Sequence, residues 1–295
     1  MKSLWSLIIC SFFLTNSLYG QPVEVCLTSD SSDHRYASYS PDGERIIYES
    51  NSNGNWDIFV MDSNGQNQQA LTTDSLDQRR PSWHPDGKSI VYEEVTNNSL
   101  ISYDLSSGNQ GVILDQKKLN KYVLYGKMQF ARYDPKGERI VFTLVESDTV
   151  MNLVIFDVKL TTLEEVFINP YRTAYASWGE KGNLLIFHSR HNTQNISDDI
   201  YSLNQKNNSI NRLTSWKKHD FCPMFSPDGK KIAFVRSMEN TRPEIMVMNS
   251  DGTGQVQLTN NTDGETLPNW APTGDKLLIT AFRNGHFQIC ELKIP

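Results

Sequence analysis

The chain has 295 residues, 38% of them hydrophobic and 21% charged, a balance that excludes a disordered polymer. Its formal charge of −6, with no basic run, excludes the electrostatic footprint of a nucleic-acid or anionic-membrane binder. With 13 Phe, 12 Tyr and 6 Trp, it has the means to fill a large core.

The first element in chain order does not belong to that core. Met1-Lys2 opens an apolar run from Leu4 to Leu14 that is too short to span a bilayer, and small and polar residues follow it. Residues 1–20 read as a secretory signal peptide cleaved at Gly20-Gln21. Its removal takes away Lys2 and moves the formal charge from −6 to −7. The remaining 21–295 form the folded unit, and the compartment is periplasmic or extracellular. No integral membrane span is expected.

After residue 30 the chain falls into six copies of one element, an aromatic two residues before a turn. The copies are Tyr39-Ser-Pro41-Asp42-Gly43, Trp83-His-Pro85-Asp86-Gly87, Tyr133-Asp-Pro135-Lys136-Gly137, Trp178-Gly-Glu180-Lys181-Gly182, Phe225-Ser-Pro227-Asp228-Gly229 and Trp270-Ala-Pro272-Thr273-Gly274. The steps between them are 44, 50, 45, 47 and 45 residues, the period of a four-stranded propeller blade. Pro presets φ and Gly permits the positive φ of a tight hairpin. A β-branched run follows each turn, such as Arg45-Ile-Ile-Tyr48 or Lys231-Ile-Ala-Phe234, and suits strands buried between stacked sheets. A third strand, a polar turn such as Ser63-Asn-Gly65, and an outer strand ending in Leu-Thr complete the unit. The leading aromatic of each copy is expected to plug the space between neighbouring blades. The fold class is therefore all-β: a six-bladed β-propeller of four-stranded antiparallel blades.

The sixth copy supplies only three strands before Pro295, while Val23–Thr28 matches the outer-strand ending Ala70-Leu71-Thr72. The N-terminal strand is thus expected to close the ring, which removes open sheet edges. In this register Cys26 takes the place of Ala70 and Cys290 that of Phe59, two positions opposite each other across a hairpin. Cys26 and Cys290 are expected neighbours that form a disulfide in an oxidising compartment. Cys222, before Pro223, reads as a small buried residue.

The Trp/Phe-Ser-Pro-Asp-Gly-Lys element, the Met-Asp/Asn-Ser-Asp-Gly turn and the Leu-Thr ending closely resemble the WD40-like repeats of TolB-type propellers. Copies 3 and 6 lose the Asp, and copy 4 loses the Pro as well. The resemblance covers residues 21–295, without the α/β domain that precedes the propeller in TolB. It implies a binding role in the cell envelope, since the TolB propeller binds a peptidoglycan-associated lipoprotein.

The sequence has no G-x-S-x-G, H-E-x-x-H or P-loop pattern. His188 and His191, three apart, read as a strand residue and a loop residue on different faces. Asp198-Asp199 reads as a loop and strand-edge feature. The candidate site is the mouth where the inner strands begin. By register it takes Asp33, His34, Arg35, Asp77, Arg79, Lys127, Arg172, His219, Asp220 and Glu265 as ligand-binding residues, with Tyr36, Arg80 and Tyr175 one step nearer the turns. The set mixes charges with aromatics and suits a peptide carboxylate or a sugar. The expected function is a monomeric binding scaffold for a protein or peptide partner, with no cofactor and no catalytic residue. The competing reading is a metal-assisted lyase or hydrolase acting on saccharide or peptide, with a metal ion in the channel. A third is a purely structural envelope component.

Overall fold

The computed structural model describes residues 23–122, 124–167, 172–191, 197–239, 242–260 and 263–294. The proposed signal peptide and its Cys10 lie outside them. The chain forms six four-stranded antiparallel sheets around one axis. β1 (Glu24–Cys26) comes first in the chain and belongs to the last blade. Blade 1 is β2 (His34–Tyr39), β3 (Arg45–Ser50), β4 (Asp57–Asp62) and β5 (Gln69–Ala70); blade 2 is β6 (Gln78–Trp83), β7 (Ser89–Glu94), β8 (Ser99–Asp104) and β9 (Gln110–Leu114). A short helix, α1 (Gln116–Asn120), follows. Blade 3 is β10 (Lys127–Tyr133), β11 (Arg139–Val145), β12 (Met151–Asp157) and β13 (Thr162–Phe167); blade 4 is β14 (Thr173–Trp178), β15 (Leu184–Ser189), β16 (Asp199–Asn204) and β17 (Ser209–Arg212). Blade 5 is β18 (Asp220–Phe225), β19 (Lys231–Arg236), β20 (Glu244–Asn249) and β21 (Val256–Gln257); blade 6 is β22 (Glu265–Trp270), β23 (Lys276–Arg283) and β24 (His286–Lys293), completed by β1. Among the described residues no helix is long and apolar enough to cross a membrane.

The repeat residues act through local chemistry. In the Ser-Pro-Asp-Gly turns of blades 1 and 5, Asp42 and Asp228 accept from Ser40 and Ser226 Oγ at 2.5 and 2.7 Å. They also accept from the amides of Glu44 and Lys230, which pins the hairpin. Blade 3 has Lys136 in place of that Asp, and Asp134 instead takes the amides of Glu138 and Arg139.

The leading aromatics pack between blades as expected, and the tryptophans add a hydrogen bond. Trp83, Trp178 and Trp270 Nε1 each donate at 3.1 Å to the carbonyl before the aromatic of the preceding blade: Ser38, Arg132 and Met224. The Leu-Thr endings form buried latches. Thr72, Thr214 and Thr259 Oγ1 accept from the amides of Ile58, Ile200 and Ile245 at 2.9–3.0 Å and donate to Asp57, Asp199 and Glu244. Asp199 opens the third strand of blade 4, as Asp57 and Glu244 open theirs, and it is fully buried because it anchors the outer strand of that blade. The glycines of the following turns are required by close approach. A Cβ on Gly65 or Gly252 (φ +84° and +89°) would come within 2.9 or 2.6 Å of the carbonyl of Leu27 or Leu213 in the preceding blade.

Closure follows the expected register. Glu24, Val25 and Cys26 pair with Leu292, Glu291 and Cys290. The backbone bonds flanking this ladder, Lys293 N to Val23 O and Leu27 N to Ile289 O, leave Cys26 and Cys290 at a non-hydrogen-bonded pair, where side chains lie closest. Their sulfurs are bonded to each other. Cys222 is buried, and burial pushes its thiol up to about 12. Among the described residues the helix α1 has no counterpart in the other blades; it takes up the surplus of the 50-residue step, N-capped by Asp115.

Candidate functional site

Each inner strand carries a bulge in its pairing with the second strand. At its centre one residue per blade has positive φ: Tyr36, Arg80, Phe130, Tyr175, Cys222 and Leu267, each three before the leading aromatic. None of these is glycine, so each carries a conformational cost of about 1–2 kcal/mol. In three blades the neighbouring blade takes up the backbone N–H of this residue. Glu49 and Glu93 carboxylates accept from the amides of Arg80 and Phe130 at 2.8 and 2.5 Å, and Thr143 Oγ1 accepts from that of Tyr175 at 3.1 Å.

The bulge also decides where the expected site residues go. His34, Asp220 and Glu265, at the first position of their strands, are buried, together with Gln78 and Thr173. His34 Nε2 meets Asp30 at 3.0 Å, Asp220 holds Arg236 in a bidentate pair at 2.8 Å, and Glu265 pairs with Arg283 at 2.6 Å. These three stiffen the rim from beneath and offer no open surface. His219 is half-buried and meets Asp198 at 2.9 Å, a carboxylate shared with Arg190. The two aspartates of the Asp198-Asp199 pair thus face different partners. His188 lies buried in β15, where burial lowers its pKa to about 4 and keeps it neutral. His191 sits in the turn beyond the strand.

The remaining candidates lie at the end of the blades where the inner strands begin, half-buried or exposed. Asp33 accepts from the amide of Phe287 at 2.9 Å and pairs with Arg35 at 3.0 Å; Asp77 accepts from the amide of Trp56 at 3.0 Å. Arg79 is bidentate to the buried Glu49 at 2.8 and 3.0 Å. Lys127 is exposed, and Arg172 is half-buried with an Nε that has no acceptor. The structure adds two residues that sequence reading left out. Trp56 lies within cation–π reach of both Arg79 and Arg35, at 4.0 and 5.1 Å, and Phe287 lies 4.1 Å from Arg35. Both precede or open a third strand, where the repeat pattern marks only the strand.

Below the mouth the axis is nearly filled. Tyr36, Phe130 and Tyr175 form a tilted aromatic column with centroids 6.1 and 5.1 Å apart, and Arg80 stacks on the first two. Burial lifts the Glu93 carboxyl to about 7 although Arg80 bonds it at 2.5 Å.

Residues 198–294, the last two blades and the third and outer strands of blade 4, match the family described as the TolB beta propeller domain. Over those residues the chain is similar to the TolB propeller. It is 34% identical over 105 residues to a Tol-Pal system protein TolB of Alcanivorax borkumensis, covering 35% of this chain and 23% of that one. Its fold resembles TolB from Acinetobacter baumannii with a TM-score of 0.62 at 20% identity, over 89% of this chain and 63% of that one. It also resembles an oligogalacturonate lyase from Vibrio parahaemolyticus, with a TM-score of 0.66 at 14% identity over 92% and 93% of the two chains. At these identities the structural likenesses show the fold alone. The chain spans about a fifth of the length of the curated relatives it first matches, 19% and 23%.

Proposed function

We propose that this TolB-like propeller is a periplasmic or extracellular scaffold that binds a protein or peptide partner of the cell envelope at the mouth where its inner strands begin. The observation that carries the reading is the Arg35–Trp56–Arg79 stack with Phe287 against Arg35. Salt bridges to Asp33 and Glu49 already hold both arginines, so little side-chain freedom remains to be lost on binding. Rigid Trp and Arg are the residue types that dominate protein interfaces. Relatives named as Tol-Pal system proteins, and the leader expected at residues 1–20, support the compartment and the partner class.

The metal-assisted alternative rests on shape alone. Among the described residues the one cluster of three ligand-type groups is Glu24, Cys26 and Cys290, in the closing blade, and its two sulfurs are bonded to each other.

The test is site-specific photo-crosslinking in the native envelope, with the reactive residue at Lys127 on the mouth or at Val112 on an outer strand. A discrete protein adduct is expected from position 127 only, and Trp56→Ala should reduce it at least about tenfold, as for an interface hot spot. Equal labelling from both positions, or an adduct insensitive to Trp56→Ala, would overturn the proposal.

A further inference from the structure

The foot of the propeller, where the Pro-Asp-Gly turns lie, carries an open cleft of about 310 Å³ between blades 3 and 4. Four cations line it, Lys136, Arg139, Lys181 and Lys206, against two carboxylates, Asp134 and Glu138. Arg139 is already committed. Its guanidinium donates to Asp134, Gln205 and the carbonyl of Gly182 at 3.1, 3.3 and 2.5 Å, and it stacks on Trp178 at 4.6 Å. Arg45 makes the same link to Gly87 between blades 1 and 2, so this part belongs to the scaffold. The three lysines do not. They are exposed, and among the described residues none of them takes part in an ion pair.

The other blades show that the fold does not require these lysines. The residue before the turn glycine is Asp42, Asp86 and Asp228 in blades 1, 2 and 5 and Thr273 in blade 6; it is Lys only in the adjacent blades 3 and 4. Two residues past the third strand, Lys206 stands where blades 1, 2 and 5 have Asn64, Ser106 and Asp251. Each turn aspartate accepts from the amide two residues on, a bond that a lysine side chain cannot make. Blade 3 recovers it through Asp134. Blade 4 has Gly179 at that place and, among the described residues, keeps only the backbone bond from Gly182 N to Gly179 O. Turn stability is given up here, and like charges from three separate turns repel one another unless an anion lies between them.

We infer that this cleft is a binding site for a small phosphomonoester of sugar size, held by Lys136, Lys181 and Lys206. A phosphomonoester carries about −1.5 to −2 charges, which three ammonium groups can match. Lysine offers phosphate a compact point charge, whereas the planar fork that suits a carboxylate is taken, since Arg139 spends its donors within the protein. The volume reaches the range of ligand pockets, roughly 300–1,000 Å³, and exceeds a bare phosphate. Asn183 and Gln205 add side-chain amides to the lining, which suit hydroxyls. The cleft lies at the end of the blades opposite the proposed protein-binding mouth and does not rest on that reading.

Isothermal titration of the full chain with glucose 6-phosphate at constant ionic strength tests it, with glucose and glucuronate as comparisons. Saturable binding at one site is expected for glucose 6-phosphate alone. Lys136→Asp and Lys181→Asp install the residue of blades 1, 2 and 5, so each should weaken binding at least about tenfold while the melting temperature stays level or rises. Lys206→Ser, in a turn where blade 2 has Ser106, should weaken it in the same way and keeps the test open if an aspartate variant folds poorly. Lys293→Asp, the same charge change on an exposed residue of the opposite blade 6, should leave affinity within about twofold, because salt screens distant charges. A titration that does not saturate, glucuronate that binds as tightly, or an equal loss in Lys293→Asp would each overturn the inference.

Discussion

At the scale of single residues, the buried carboxylates of the inner ring make the sharpest statements. Glu93 faces Arg80, the amide of Phe130 and, more distantly, Glu49, and burial lifts its carboxyl from 4.5 to about 7. Between those values the folded chain holds a proton that the unfolded chain has released. The contribution of this group to stability therefore falls as pH rises through that window and levels off above it. Glu93→Gln has no such proton. Wild type should lose on the order of 1–3 kcal/mol relative to the variant between pH 4.5 and 7.5, read from urea midpoints. The low pKa of His188 gives a slope of the opposite sign, but it is common to both proteins and cancels in the difference. A pH-independent gap between the two would show that Glu93 is ionised throughout.

At the scale of the element, each outer strand depends on its latch more than on its length, since β5 and β21 are only two residues long. Thr72→Val keeps the shape of the side chain but leaves the Ile58 amide and the buried Asp57 without their shared hydroxyl. A loss of about 1–3 kcal/mol is expected in equilibrium unfolding. The same change at Thr96, an exposed turn residue with no latch, should stay within about 0.5 kcal/mol, as surface substitutions do. Comparable losses at both sites would mean that the latch adds nothing.

This element was legible in outline. The Leu-Thr ending and its position could be read from the repeat, while the burial of Asp57, Asp199 and Glu244 could not, because it depends on which face of the third strand meets the returning threonine. The inner-strand bulges left no trace at all. A turn that needs positive φ normally announces itself by Gly or Asn, yet here the position holds Tyr, Arg, Phe, Tyr, Cys and Leu. The compensation comes from the neighbouring blade, through acceptors some 30 residues away in sequence. That is also why His34, Asp220 and Glu265 were expected at the mouth and lie beneath it.

At the scale of the molecule, the ring is closed by three residue pairs and the bond between Cys26 and Cys290, 264 residues apart. Arg283 adds two hydrogen bonds to Glu24 at 2.8 Å. Replacing both cysteines with serine should lower stability by about 2–4 kcal/mol, the usual worth of a native disulfide, and calorimetry with and without reductant should show the same loss in the wild type. Insensitivity to reductant would mean that the strand pairing alone closes the ring.

What the sequence determined by itself was the blade count, the plugs between blades, the closing strand and the facing of its two cysteines. All of these are set by short-range turn chemistry repeated at a fixed period, so register alone carries them. What only the tertiary structure decided was the inside of the ring. The aromatic column, the arginine and tryptophan stack at the mouth and the contact of Arg132 with Tyr175 arise where side chains from several blades converge on one axis. Their charge balance and burial belong to no single repeat. Copies that look alike in register differ there at the position before the leading aromatic, with Ser in three blades and Arg, Met and Asn in the others, and it is the space shared between blades that gives this difference its weight.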